Sequence, residues 1–172
     1  MRVFSWEGDI DTTMSPMDSL KYYKHFLQAG FMAMNPHNGH IKAWVGGNNY
    51  KYFKYDHVTQ SQRQVGSTFK PMVYTAAVEA GIDPCQYYSI REVTYGKGWT
   101  PSNSNDKEDP FMNYSMEYAL SRSINTIAVK VLFDVGLGNV LSQAREMGIT
   151  SHLPKYPSIA LGTAEIGVDE LA

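Results

Sequence analysis

A single cysteine, Cys85, stands in 172 residues, which excludes an internal disulfide and leaves none of the paired spacing of a zinc site. Charge is scarce and nearly balanced: 19% of residues are charged and the formal net charge is -2. Neither the basic footprint of a nucleic-acid binder nor an acidic tail is present. Long apolar runs are lacking, since no stretch approaches the about 20 apolar residues that cross a bilayer. The opening Met1-Arg2-Val3-Phe4-Ser5-Trp6-Glu7-Gly8 is no signal peptide, so the chain as written is expected to be soluble. Internal repeats and low-complexity tracts are absent, and composition calls for no metal or organic cofactor. What remains is a globular chain. Its 43% apolar residues can bury a core, and its length suits one domain or part of a larger one.

Local signals divide the chain into elements. Ser15-Pro16-Met17-Asp18 reads as a helix start, with Leu20, Tyr23 and Leu27 at helical spacing and Gly30 as the stop. Phe31 to Asn35 and His40 to Val45 flank Asn35-Pro36-His37-Asn38-Gly39, the chemistry of a tight reversal, and predict a β-hairpin. From Gly46 to Gly66 no period is sustained. Tyr50, Tyr52, Phe53 and Tyr55 alternate there with Lys51 and Lys54, but two lysines on a slightly acidic chain make a poor phosphate groove. The segment is read as a loop packed on the domain surface. Helical spacing returns over Thr68 to Ala80, Tyr114 to Leu120, Ile124 to Val135 and Asn139 to Met147. The last residues, Gly167 to Ala172, read as the first turn of a helix interrupted, so one incomplete domain is expected.

Ser67 and Lys70 are three apart at the start of a predicted helix, where free backbone N–H groups converge. A serine hydroxyl is a weak nucleophile that needs a base beside it and donors for a developing oxyanion. At about 100° per residue, Lys70 lies at the margin of the apolar face while Ser67 points further toward the open side. Burial and the helix dipole would both lower the lysine pKa toward that of a usable base. Spacing alone is weak, because Ser104 to Lys107 repeats it in a loop with no apolar helix behind it. The first copy is distinguished by Gly66, by Pro71 in the first turn and by the apolar run after it. A second feature is Ser123-Ile124-Asn125, between two predicted helices. The hydroxyl and amide can face one cleft, relaying a proton and holding a substrate amide, or Ser123 can simply cap the helix that follows.

Arg63-Gln64-Val65-Gly66-Ser67-Thr68-Phe69-Lys70-Pro71 resembles the nucleophile motif of the bifunctional, class A penicillin-binding proteins. Upstream, Asn35 to Gly47 resembles the hairpin that opens the family's transpeptidase domain. Downstream, Trp99-Thr100-Pro101-Ser102-Asn103 resembles the loop before its helical part, Ala119 to Asn125 its Ser-x-Asn segment, and Ala160-Leu161-Gly162 the return toward the sheet. The ordered set is more specific than any one motif in it. The resemblance implies an α+β chain, part of the β-lactamase/transpeptidase-like fold, with helices on an antiparallel sheet that is only begun here and a helical subdomain.

It also implies a serine-type D-alanyl-D-alanine transpeptidase. Ser67 would attack the penultimate D-alanyl carbonyl of a peptidoglycan stem peptide, Lys70 would act as base, Ser123 would relay a proton and Asn125 would bind the substrate amide. β-Lactam antibiotics would acylate the same serine. The parent would work at the extracytoplasmic face of a bacterial inner membrane, in the periplasm, with a glycosyltransferase domain and a membrane anchor that are not in this sequence. The family's third motif, Lys-Thr-Gly or Lys-Ser-Gly, is also nowhere in it, so a fragment that is weakly active or inert is expected. Two other readings share the Ser-x-x-Lys: a serine β-lactamase, which prompt hydrolysis of a chromogenic cephalosporin would reveal, and a β-lactam sensor or non-catalytic penicillin-binding module. A begun sheet leaves an unpaired edge, which predicts a homo-oligomer or a swapped arrangement.

Overall fold

The computed structural model describes residues 1–104 and 109–172; Lys107, and with it the second Ser-x-x-Lys, lies outside the described residues. The chain divides into two compact units, one of Met1–Gln62 with Gly167–Glu170 and Ala172, the other of Arg63–Ile166 with Leu171.

In the first unit, β1 (Arg2–Val3) pairs antiparallel with β2 (Ile10–Asp11). Helix α1 (Pro16–Lys24) starts as its sequence dictates: the Ser15 hydroxyl accepts from the Asp18 amide and Pro16 occupies the first turn. It ends at Lys24, short of Gly30, and no residue in it is buried. Of the expected apolar stripe only Tyr23 packs, its ring 5.7 Å from that of Phe53 between centroids, and Leu20 and Leu27 are exposed. The rings of this unit pack instead, because aromatic edges meeting faces satisfy one another at short range. Phe4 meets Phe26 with ring centroids at 5.1 Å and Phe53 at 5.3 Å, and the Tyr22 hydroxyl donates to the Phe4 carbonyl. Phe53 comes from the aperiodic loop, which thus packs as expected.

The predicted hairpin forms from β3 (Phe31–Met34) and β4 (Ile41–Val45), with Phe31 opposite Val45 and a register shift between Ala33 and Met34. Its turn is closed by Asn35, whose carbonyl accepts from the Gly39 amide and whose side chain accepts from His37. Among the described residues no third strand joins this pair.

In the second unit, β5 (Arg63–Gln64) leads into a 3-10 turn over Gly66–Phe69 and then α2 (Lys70–Glu79). Strands β6 (Tyr87–Ser89) and β7 (Asn113–Ser115) pair antiparallel, and the chain continues through α3 (Met116–Ser121), α4 (Asn125–Val135) and α5 (Leu137–Glu146). A 3-10 turn over Pro157–Leu161 precedes β8 (Glu165–Ile166), which pairs antiparallel with β5. The short α6 (Val168–Leu171), which belongs to the first unit except for Leu171, closes the chain. Helix α3 begins later than predicted because Tyr114 is spent in β7, opposite Tyr88, and Ser115 caps the helix through the Tyr118 amide.

One apolar cluster organises this unit. It joins Phe69 and the α2 face of Val73 and Ala77 to Ile127, Ala128, Val131 and Leu132 of α4 and to Ile159 and Ala160 of the last 3-10 turn. The predicted α4 face is buried in full. Helices with small strands, all paired antiparallel, make the chain α+β. Among the described residues no single helix is long and apolar enough to cross a membrane.

Candidate active site

Pro71 decides the geometry around Ser67. It has no N–H to give the Ser67 carbonyl, so that carbonyl accepts from the Lys70 amide instead, one residue earlier, and the chain winds as 3-10 before it becomes α. At about three residues per turn, Ser67 and Lys70 eclipse each other. The turn brings the two residues closer in angle than α-helical pitch would, and Ser67 keeps the more open side while Lys70 is buried.

The turn itself is clamped from the far end of the unit. Register pairs Arg63 with Ile166 and Gln64 with Glu165, and the ladder runs on as the Val65 amide donates to Ala164 O at 3.1 Å and the Gly66 amide to Gly162 O at 2.9 Å. Both glycines have φ in the left-handed region, +56° and +71°. The contact is so close that a Cβ on Gly162 would overlap the Gly66 carbonyl. Gly162, at the end of Ala160-Leu161-Gly162, is thus the wall against which the serine turn rests.

Ser67 is exposed and Lys70 is 1% exposed. The Lys70 ammonium reaches Ser123 O at 2.6 Å, Ser123 Oγ at 3.0 Å and Asn125 Oδ1 at 2.7 Å. All three ammonium protons are engaged by neutral acceptors. Burial pushes the Lys70 pKa down to about 8, with the three acceptors acting in the opposite sense by favouring the charged form. Lys70, Ser123 and Asn125 thus come together, although 53 and 55 positions separate Lys70 from Ser123 and Asn125, while Ser67 stands one 3-10 turn before Lys70 on the exposed side.

Ser123 does not cap α4. It occupies the left-handed region at φ 57° and closes α3: the Ser123 amide donates to Leu120 O and the Ile124 amide to Ala119 O, both at 2.9 Å. This is the Schellman pattern, in which glycine is the usual left-handed residue. The α4 N-cap position falls to Ile124, which has no capping side chain. The cap comes from a distance: Asn103 Oδ1 accepts from the Asn125 amide at 2.9 Å and the Thr126 amide at 3.0 Å, and its Nδ2 donates to Thr126 Oγ1 at 3.2 Å. Next to it, Ser102 O accepts from Asn125 Nδ2 at 3.0 Å. Sequence reading missed Asn103's part, because a cap supplied 22 residues upstream leaves no periodicity or spacing signal.

A serine hydroxyl beside a lysine of lowered pKa, with a second hydroxyl and an amide on the same nitrogen, is an arrangement for moving protons onto and off a nucleophile. Among the described residues no group of three or more His, Cys, Asp or Glu is arranged to hold a metal.

Residues 1–27 match a family model described as the penicillin-binding protein middle domain. The chain is 35% identical over 147 residues to penicillin-binding protein 2D of Bacillus subtilis (strain 168), covering 81% of this chain and 21% of that one. It is 34% identical over 145 residues to penicillin-binding protein 1A of Aquifex aeolicus (strain VF5), covering 81% and 20%. In structure it resembles penicillin-binding protein 1A from Haemophilus influenzae, at a TM-score of 0.77 and 29% identity over 84% of this chain and 22% of the other. PonA1 from Mycobacterium tuberculosis, 24% identical, shares the fold at a TM-score of 0.71 over 90% of this chain and 44% of its own. The chain spans about a fifth of the length of the curated relatives it matches. These likenesses support a relationship with the class A penicillin-binding proteins.

Proposed function

We propose that residues 1–172 are part of the transpeptidase domain of a class A penicillin-binding protein, a serine-type D-Ala-D-Ala transpeptidase with Ser67 as nucleophile. The observation that carries the reading is the convergence on one lysine nitrogen of Ser123 and Asn125, one 3-10 turn from Ser67. The stretch bearing the motifs runs from about Phe31 onward, so the transpeptidase reading rests on those residues, while residues 1–27 match a middle-domain model.

In this reading the reactive form of Lys70 is the neutral amine, about a tenth of the population at pH 7 for a pKa of about 8. Its lone pair takes the Ser67 proton as Oγ bonds to the penultimate D-alanyl carbonyl carbon of a stem peptide. The amide of Ser67 supplies one donor to the oxyanion. Collapse breaks the C–N bond to the terminal D-alanine, and the leaving nitrogen takes its proton from Lys70 through the Ser123 hydroxyl. That hydroxyl accepts from Lys70 and has its own proton to pass on. An amine from a neighbouring strand then displaces Ser67 Oγ and makes the cross-link. Asn125 Nδ2, with one proton on Ser102 O, has its second for a substrate carbonyl. A β-lactam acylates Ser67 by the same first step. The parent protein is placed at the periplasmic face of the inner membrane.

The missing Lys-Thr-Gly or Lys-Ser-Gly would supply the second oxyanion donor, whose loss costs roughly a hundredfold or more. Mass spectrometry after incubation with labelled penicillin tests both parts of the reading. The parent protein should carry one adduct, on Ser67, and lose it in Ser67→Ala, whereas these 172 residues alone should react at least about 100-fold more slowly. An adduct on another residue of the parent sinks the assignment of the nucleophile. Equal rates for parent and fragment sink the role given to the missing motif.

A further inference from the structure

We propose that Asn103 is a positioning residue that caps α4 in place of Ser123, and so leaves the Ser123 hydroxyl and carbonyl and the Asn125 amide free to meet Lys70. The inference rests on the reading of Lys70 as the site's base.

Four observations support it. First, α4 begins with amides that need acceptors, and its own N-cap residue, Ile124, cannot provide one. A serine just before a helix is ordinarily the acceptor, and Ser123 is the nearest candidate. Here its hydroxyl is held by Lys70 and its backbone is turned into the left-handed region. Second, the Asn103 side chain is fully used: one oxygen takes two amides and the nitrogen reaches Thr126 Oγ1. Third, its neighbour Ser102 fixes the Asn125 side chain so that Oδ1, and not Nδ2, faces the lysine. Asn125 is thus held at its backbone by Asn103 and at its side chain by Ser102. Fourth, Thr126, which receives both an amide contact and a side-chain contact from Asn103, is 1% exposed. Water cannot readily replace Asn103 there, and an unsatisfied buried amide would drive the turn to rearrange. Ser123 Oγ, two and three residues before these amides in the chain, is the helix-start acceptor that could replace it, and it would have to leave Lys70.

The test reads Lys70 directly in this chain, with no substrate, so its result is independent of whether Ser67 is acylated. Titration of the lysine side chains by carbon-13 NMR, with Lys70 assigned by Lys70→Arg, should place Lys70 near pH 8 in the native chain. In Asn103→Ala the turn opens to water and Lys70 should titrate at least about half a unit higher, toward the ordinary lysine value. Asn103→Gln, which keeps the amide but displaces it by one methylene, should move Lys70 the same way and keeps the test available if the alanine variant does not fold. Asn103→Asp, which retains the accepting oxygens, should preserve slow hydrogen exchange at the Asn125 and Thr126 amides, while Asn103→Ala loses it. A merely structural Asn103 would lower stability in the alanine and glutamine variants yet leave Lys70 titrating where it does in the native chain, and that outcome overturns the proposal.

Discussion

Ser123 sits at φ 57° in the one position of a Schellman motif where glycine is the ordinary residue. Two substitutions separate what its backbone costs from what its hydroxyl does. Ser123→Ala and Ser123→Gly both remove the hydroxyl and its 3.0 Å contact with Lys70, so their difference isolates the backbone. A side chain in the left-handed region costs roughly 1–2 kcal/mol, which glycine avoids. Against that, glycine's freer unfolded chain offsets roughly 0.5–1 kcal/mol. Glycine should therefore exceed alanine by about 0.5–1 kcal/mol, a melting temperature about 1–4 °C higher for a chain of this size. Urea melts at pH 7, extrapolated with a shared slope, read the difference. Reactivity should not follow stability: in the parent protein both variants should react with labelled penicillin on the order of a hundredfold more slowly, since each lacks the proton relay. A glycine variant no more stable than the alanine variant refutes the view that this serine holds strain for the sake of its side chain.

Gly162→Ala should destabilise the chain by about 3 kcal/mol or more, because its Cβ would overlap backbone at Gly66. The control Gly138→Ala, in the exposed start of α5 with open space around it, should gain up to about 1 kcal/mol in the same denaturation assay. The Lys70 pKa is lowered from 10.5 to about 8 in the folded chain, so between those values the unfolded chain holds more protons and stability should rise with pH, by about 3 kcal/mol across the window. Tyr74 and Tyr88, both pushed up by burial, act oppositely at higher pH. The rise is thus read as the difference between native chain and Lys70→Met from pH 7 to 10, and a difference that does not vary with pH counts against a buried, ionised lysine. The β3–β4 hairpin, joined by no third strand among the described residues, should drive self-association visible by light scattering at raised concentration; a monomer throughout would contradict it.

Much of the fold was legible because its signals are local. Ser15 caps α1 through Asp18, three residues on, and the Asn35 to Gly39 turn closes through bonds among its own residues. The buried face of α4 follows from apolar residues three and four apart. Where reading failed, a distant partner had intervened. Leu20 and Leu27 keep helical spacing yet stay exposed, since spacing says which residues share a face and nothing about whether another element covers it. Tyr114 has a good helical pattern after it but pairs with Tyr88, 26 residues earlier. At the site, the ordered motifs nominated Ser67, Lys70, Ser123 and Asn125, but α pitch did not anticipate the tighter 3-10 turn between Ser67 and Lys70 that the missing Pro71 N–H produces.

What the amino-acid sequence determined by itself is therefore the chemistry available: a serine three residues before a lysine, Pro71 in the first turn, and a hydroxyl and an amide two apart. Those depend on residue identity and on covalent spacing. Only the tertiary structure decided that the lysine is buried, that it meets Ser123 and Asn125, that Ser123 bends into the left-handed region, and that Asn103 caps a helix 22 residues away. Desolvation, strain and long-range hydrogen bonds depend on which surfaces the packed core brings together, and no local pattern records them.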